Sequence, residues 1–220
     1  MFRGYSNQTV DFFWGIRFNN DREWFTAHRE EYLRSVQEPT KALAEELFVW
    51  FRDTYPQLNL NLHMSRIYRD ARRLFGRGPY KDHIWFSFQS AENWENAPCF
   101  YFEVGADGYG FGMGYYSTGA AIAQRFRKIV DQNPAALEQL LDGLRQWPEL
   151  QLSGPEYARS KGHAGEKIES WYNKKSWFIG TSRSYDSVSY SPELASVLKN
   201  AYTFLVPYYQ YLERAYTTAD

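Results

Sequence analysis

From residue 20 to about residue 51 the apolar positions recur at intervals of three and four. Between roughly 64 and 116 they alternate, and beyond that the longer interval returns. "NNDREWFTAHREEYLRSV" predicts a helix entered through a capping box, with Asn20 accepting from the amide of Glu23 while the Glu23 carboxylate reaches back. Trp24, Phe25, His28, Tyr32 and Val36 then share one face. A second helix is expected from about Pro39, with a stripe of Leu43, Leu47, Trp50 and Phe51. "MSRIYRD", "IWFSF", "CFYFEV" and "YGFGMGYY" read as strands near 64–70, 84–89, 99–105 and 109–116, and "SWFIG" marks a further candidate at 176–181. Asp107-Gly108 tolerates the positive φ angles of a type I′ turn, which would set Val104 opposite Phe111, Phe102 opposite Met113 and Phe100 opposite Tyr115 on a common core face. Two helices follow. The first, over 118–130, carries Ile122, Phe126, Ile129 and Val130; the second, opened by Asn133-Pro134, carries Leu137, Leu140, Leu141 and Leu144. Ser191-Pro192 opens a long last helix, expected to end or kink near Pro207. The predicted class is α+β: a central, mostly antiparallel sheet packed by N-terminal and C-terminal helices.

Composition narrows the class. The 220 residues contain no repeat, low-complexity tract or linker-like run, which predicts a single domain over 1–220. Cys99 is the only cysteine, so an intramolecular disulfide is ruled out and a reducing compartment is expected. With no signal-like segment and no apolar run of membrane length, the expectation is a soluble, cytoplasmic chain without a membrane partner. A net charge of −1 argues against a dedicated nucleic-acid binder. The chain is 19% aromatic. That suits stacking platforms for bases or sugars, but also, more simply, core and half-buried sheet surface.

The charge is uneven. From His63 to His83 stand six Arg/Lys (Arg66, Arg69, Arg72, Arg73, Arg77, Lys81) against Asp70 and Asp82, a local +4 beside predicted strands. In a strand, Arg66, Tyr68 and Asp70 would point to one side, Ile67 and Arg69 to the other. Guanidinium groups match carboxylate and phosphate oxygens and stay charged when partly buried. The bland alternative is an internal lattice of ion pairs, with Arg69 and Arg72 on Asp70, Glu103 or a helix C-terminus. In the same hairpin Gly110, Gly112 and Gly114 alternate on one face, opposed by Gly105, Glu103 and Tyr101. Bare backbone of this kind is covered by packing, or floors a shallow trough walled by Glu103 and Tyr101. Ser117-Thr118-Gly119 leads into a helix, whose free amides attract anions, without the spacing or lysine of a P-loop. The four histidines are scattered, with no HExxH and no cysteine partner, so no metal site is expected. "GYGFGMG" lies within a predicted strand and not in a strand-to-helix turn, so it is no dinucleotide fingerprint, and no cofactor is expected.

"NNDREWFTAHREEY", "RIYRDARR", "GPYK", the hairpin "APCFYFEVGADGYGFGMGYY" and the late "KSWF" resemble, in this order, the family filed as domain of unknown function 2461, over nearly the whole chain. The resemblance implies one domain and carries no activity. Members usually read Arg-Asp-x-Arg-Phe followed by a polar stretch and Pro-Tyr-Lys. Arg69, Asp70, Arg72, Pro79, Tyr80 and Lys81 match that pattern, whereas Arg73 replaces the Phe and "LFGRG" the polar stretch.

The functional expectation is a domain that binds a small anionic ligand, phosphorylated or carboxylated. Arg66, Arg69, Arg72, Lys81 and Tyr101 would hold it. Glu103, Asp70 and Tyr80 would be the catalytic candidates if the domain is an enzyme, the two acids serving as base only if burial raises their pKa. The alternative is a nucleic-acid or protein-partner module with structural arginine pairs. No nucleophile–base pair is identifiable by spacing, so the reaction type and the oligomeric state stay open.

Overall fold

The alternating middle of the chain does build a sheet. The computed structural model describes residues 1–92, 95–115 and 118–217, except the side chain of Arg73. Its helices are α1 (Asn7–Phe18), α2 (Arg22–Ala27), α3 (Arg29–Tyr32), α4 (Glu38–Thr54), α5 (Ala120–Gln132), α6 (Pro134–Leu144), α7 (Glu169–Tyr172) and α8 (Glu193–Thr217). Its strands are β1 (Leu60–Met64), β2 (His83–Ser90), β3 (Cys99–Gly105), β4 (Gly108–Gly114), β5 (Gln151–Ser153) and β6 (Phe178–Arg183). The described strands form a six-stranded antiparallel sheet in the order β1-β2-β3-β4-β6-β5, and the class is α+β.

Four differences from the sequence reading have physical causes. First, α1 is absent from that reading. Its entry is a capping box of Ser6 and Thr9 without a glutamate, and Phe12, Phe13 and Trp14 are contiguous, which hides the helical period. Second, the helix cap is Asp21, which accepts from the Trp24 amide at 2.8 Å; Asn20 is used elsewhere. α3 then runs through one π-helical segment, Leu33–Gln37, into α4. This wider turn falls just before Pro39, whose missing N–H would interrupt a regular ladder.

Third, the strand expected at 64–70 ends at Met64, and the following residues, though extended, pair only singly with 79–85. Fourth, the hairpin turns at Ala106-Asp107, between Gly105 and Gly108. Type I′ would need positive φ at Asp107, whereas in this stretch only Gly108 has it, at +138°. The six side chains assigned to the core face of the hairpin (Phe100, Phe102, Val104, Phe111, Met113 and Tyr115) are nonetheless all fully buried. The last helix passes Pro207 and continues to Thr217. Ser117 and Tyr116 lie outside the described residues.

The chain is organised as two compact units. The first comprises Met1–Phe88, Tyr101–Phe111 and Ser182–Asn200. Its core is aromatic: Phe51 meets Phe88 at 4.9 Å between centroids, Phe86 stacks on Phe102 at 5.2 Å, and Phe12 and Phe13 are buried. The second comprises Gln89–Phe100, Gly112–Thr181 and Ala201–Asp220. There Phe126 packs on Trp177 at 4.1 Å, Phe100 stacks on Tyr209 at 5.0 Å, and the buried Tyr115 hydroxyl donates to the Leu212 carbonyl at 2.6 Å.

Two of the alternating glycines are accounted for in the second unit. A Cβ on Gly112 would strike the Ile179 carbonyl and the Gly180 backbone; one on Gly114 would strike the Trp177 carbonyl and Phe178. The bare strand is therefore covered by the backbone of β6 and the residue before it. Gly112→Ala should lower stability by about 1–3 kcal/mol through overpacking. Gly119→Ala, where an added Cβ meets nothing within 4 Å, should cost less than about 1 kcal/mol. Urea unfolding of the two variants reads the difference.

Candidate functional site

All the geometry that bears on the site lies in the first unit and starts from Asn20. Its side-chain amide donates to the Tyr80 carbonyl at 3.0 Å, and its oxygen accepts from the Tyr80 amide at 2.9 Å. The Asn20 side chain lies on Gly78, where a Cβ would collide with it. The Tyr80 ring, 4% exposed, stacks on Phe25 at 4.2 Å. The Arg69 Nε donates to the same Tyr80 carbonyl at 2.7 Å. Backbone bonds from Arg69 to Pro79, from Lys81 to Ile67 and from Ser65 to Trp85, each 2.8 Å, hold 65–70 extended against 79–85. Alternation within 65–70 survives without a regular strand: Ile67 is buried and Arg69 half-buried, whereas Arg66, Tyr68 and Asp70 are exposed.

The arginines then part company. Arg72 is bound by its neighbour: its Nε and terminal nitrogen reach the two Asp70 oxygens at 3.0 and 2.8 Å, with the side chain 88% exposed. Asp70 also caps the short turn Ala71–Arg73 through the Arg72 amide. This pair faces water and leaves the expected site. Arg69 has Asp82 at 3.9 Å. Asp82 in turn accepts from the Arg17 Nε at 2.6 Å and lies 3.2 Å from the His83 Nδ1. Arg17 also grips Asp107 with both terminal nitrogens, at 2.8 and 2.6 Å. Burial works to raise the Asp82 pKa, but the hydrogen bonds from Arg17 and His83 outweigh it and hold the carboxyl below its ordinary value.

Two concavities flank this framework. One, of about 170 Å³, is lined by Arg17, Asp82, His83, Glu103, Asp107 and Arg183, with Gly105, Gly108 and Gly110 among its walls. Glu103 thus stands in a glycine-lined pocket with His83 Nε2 at 3.9 Å; Tyr101 is half-buried and does not line it. The second is a cleft of about 360 Å³ whose floor includes Phe25, Tyr32, Leu33, Ile67 and Ile84 and whose rim carries Arg29, Lys41 and Arg66. Among the described residues no carboxylate lines it. Burial pushes the Tyr32 hydroxyl up to about 12, so it stays protonated. Lys81 lines neither concavity. Among the described residues no group of three or more acids, histidines or cysteines could hold a metal ion.

Sequence reasoning therefore missed Arg17, Asp82, His83, Arg29 and Lys41. Arg17 had no signal, because its helix was not recognised. The cleft did have one: Arg29, Leu33, Gln37 and Lys41 recur every four residues along one helical face.

The family model described as "Conserved hypothetical protein (DUF2461)" matches residues 8–211. The chain belongs to this family. Nothing among the curated proteins matches it. Of the residues that carried the resemblance, Arg69 and Asp70, and Pro79, Tyr80 and Lys81, lie on the two extended segments that Asn20 and Arg69 join at Tyr80, whereas Arg72 lies in the short turn that Asp70 caps. No helix among the described residues is long and apolar enough to cross a membrane.

The ionised form of Asp82 is the one that bonds Arg17, so its contribution is present above the ordinary carboxyl value of about 3.9 and is lost as pH falls through the lower folded value. Asp82→Asn should cost about 1–3 kcal/mol at pH 7. The gap to the parent chain should narrow as the parent is titrated below about pH 4. Urea midpoints across that range check both.

Proposed function

We propose that this member of the DUF2461 family binds a small organic anion, a carboxylate or phosphate ester with an apolar body, in the cleft rimmed by Arg29, Lys41 and Arg66. The reading is carried by one observation: three cations surround an apolar floor that no carboxylate among the described residues lines. Arg29 and Arg66 make no ion pair among the described residues. Among the described residues Lys41 pairs only with Glu45, at 3.7 Å with both side chains mostly exposed, a pairing worth little in water. The volume falls within the roughly 300–1,000 Å³ of ligand pockets. Charge supplies orientation, and the rings and aliphatic chains of the floor supply affinity by burying apolar surface.

Of the residues expected from the sequence, Arg66 acts here. Arg69 and Tyr80 hold the wall in place, and Arg72 with Asp70 stands aside. The apolar floor favours this ligand class over a nucleic-acid backbone, which would meet the three cations but leave the floor uncovered.

Isothermal titration with octanoate, octanol and inorganic phosphate tests the reading. Octanoate should bind more tightly than either comparator. Arg66→Ala and Arg29→Ala remove exposed side chains, so both variants should fold, and each should weaken octanoate about 5- to 30-fold, the equivalent of about 1–2 kcal/mol. Octanoate binding that ignores both substitutions, or no binding at all, would overturn it.

A further inference from the structure

A separate concentration of positive charge lies in the second compact unit, around Tyr157. Residues 155–157 run beside 173–175. Glu156 bridges to Lys174, the Tyr157 amide donates to the Asn173 carbonyl at 3.0 Å, and the Lys175 amide donates to the Pro155 carbonyl at 2.7 Å. The Asn173 side-chain oxygen accepts from the Lys161 amide at 2.7 Å, which ties the following loop to the same segment. Three cations then meet one ring. Lys161 Nζ lies 4.7 Å, Arg127 Cζ 5.3 Å and Lys175 Nζ 5.5 Å from the centre of Tyr157. Arg127 is supplied by α5 and the two lysines by the loop and the paired segment. Each contact with the ring is favourable, but three positive groups so close to one point repel one another. None of the three makes an ion pair among the described residues. One terminal nitrogen of Arg127, Nη1, is buried and finds no hydrogen-bond partner there. Three acids on these elements are engaged elsewhere: Glu156 by the Lys174 ammonium at 2.9 Å, Asp131 by the Tyr172 hydroxyl at 3.1 Å, and Glu169 by the Asn173 amide at 2.9 Å.

We infer that this cluster binds the phosphate or diphosphate group of a small molecule. The charge count selects the ligand class. A carboxylate brings one negative charge, whereas a phosphate monoester brings about −1.5 to −2 and three acceptor oxygens, which suits three cations that have no acid of their own. A planar guanidinium pairs with two such oxygens at once, and an ammonium on a flexible stem adds a point charge to the rest. Lys161 and Lys175 are exposed and Arg127 and Tyr157 half-buried, so the group is open to a ligand from solvent. A small molecule is favoured over a nucleic-acid strand because the cations gather on one ring, whereas strand binding uses a positive groove that tracks the backbone. The site shares no residue with the cleft rimmed by Arg29, Lys41 and Arg66, so failure of octanoate binding leaves it standing.

The test is isothermal titration of the full-length chain with inorganic pyrophosphate, with acetate and a short single-stranded oligonucleotide as comparators. Pyrophosphate should bind more tightly than either. Lys161→Gln and Lys175→Gln change exposed side chains, so both variants should fold, and each should weaken pyrophosphate about 5- to 30-fold. Lys128→Gln removes an exposed cation of α5 that is not on the ring, and should leave pyrophosphate binding unchanged. A second measurement needs no variant: on the parent chain, pyrophosphate should shield Lys161 and Lys175, but not Lys128, from acetylation by acetic anhydride, read by peptide mapping. No binding, binding that ignores both lysines, tighter binding of either comparator, or equal acetylation with and without pyrophosphate overturns the inference.

Discussion

The arrangement in the first unit depends on one side chain satisfying the backbone of another residue. Asn20 bonds both the amide and the carbonyl of Tyr80, two groups that would otherwise be lost to water at the edge of a core. Because Arg69 bonds that same carbonyl, the pair 65–70 and 79–85 is fixed to the segment after α1. Lys81, Asp82 and His83 follow directly along the chain, so their positions are inherited from this clamp. The Tyr80 ring also stacks on Phe25, a second attachment of the same residue.

The local excess of positive charge is resolved in three ways. Arg72 is neutralised in water by its neighbour in sequence, an arrangement that contributes little stability but ties a short turn. Arg69 joins a partly buried relay in which Asp82 is shared with Arg17, itself gripping Asp107. Among the described residues Arg66 and Lys81 have no acid within ion-pair distance. The near-neutral net charge therefore conceals, within this stretch, two places where a cation has no ion-pair partner among the described residues, one at the rim of an apolar floor and one above a tryptophan ring.

Much of the fold was legible because it is written locally. The strands at 83–90, 99–105 and 108–114 follow from alternation, and the helix cap at Asn133 from its position before Pro134. Elements governed by non-local contacts were not legible. Gly15 lies in α1 where a Cβ would strike the Trp24 ring, a reason invisible in the helical period. β5 is three residues long, too short to show alternation. Asn20 resembles a cap because its nearest competitor for that role, Asp21, is adjacent; which of the two caps is settled by Tyr80, 60 residues away.

By itself the sequence determined the class, the buried face of the hairpin and the concentration of arginines between residues 63 and 83, since periodicity and charge density are properties of the chain. Only the tertiary structure decided which of those cations are paired. Ion pairing depends on where acids from distant segments arrive: Arg17 reached Asp82 and Asp107 through α1, and among the described residues no acid came within ion-pair distance of Arg66 or Lys81. Spacing along a chain cannot encode that difference, because it is made by distances across the fold.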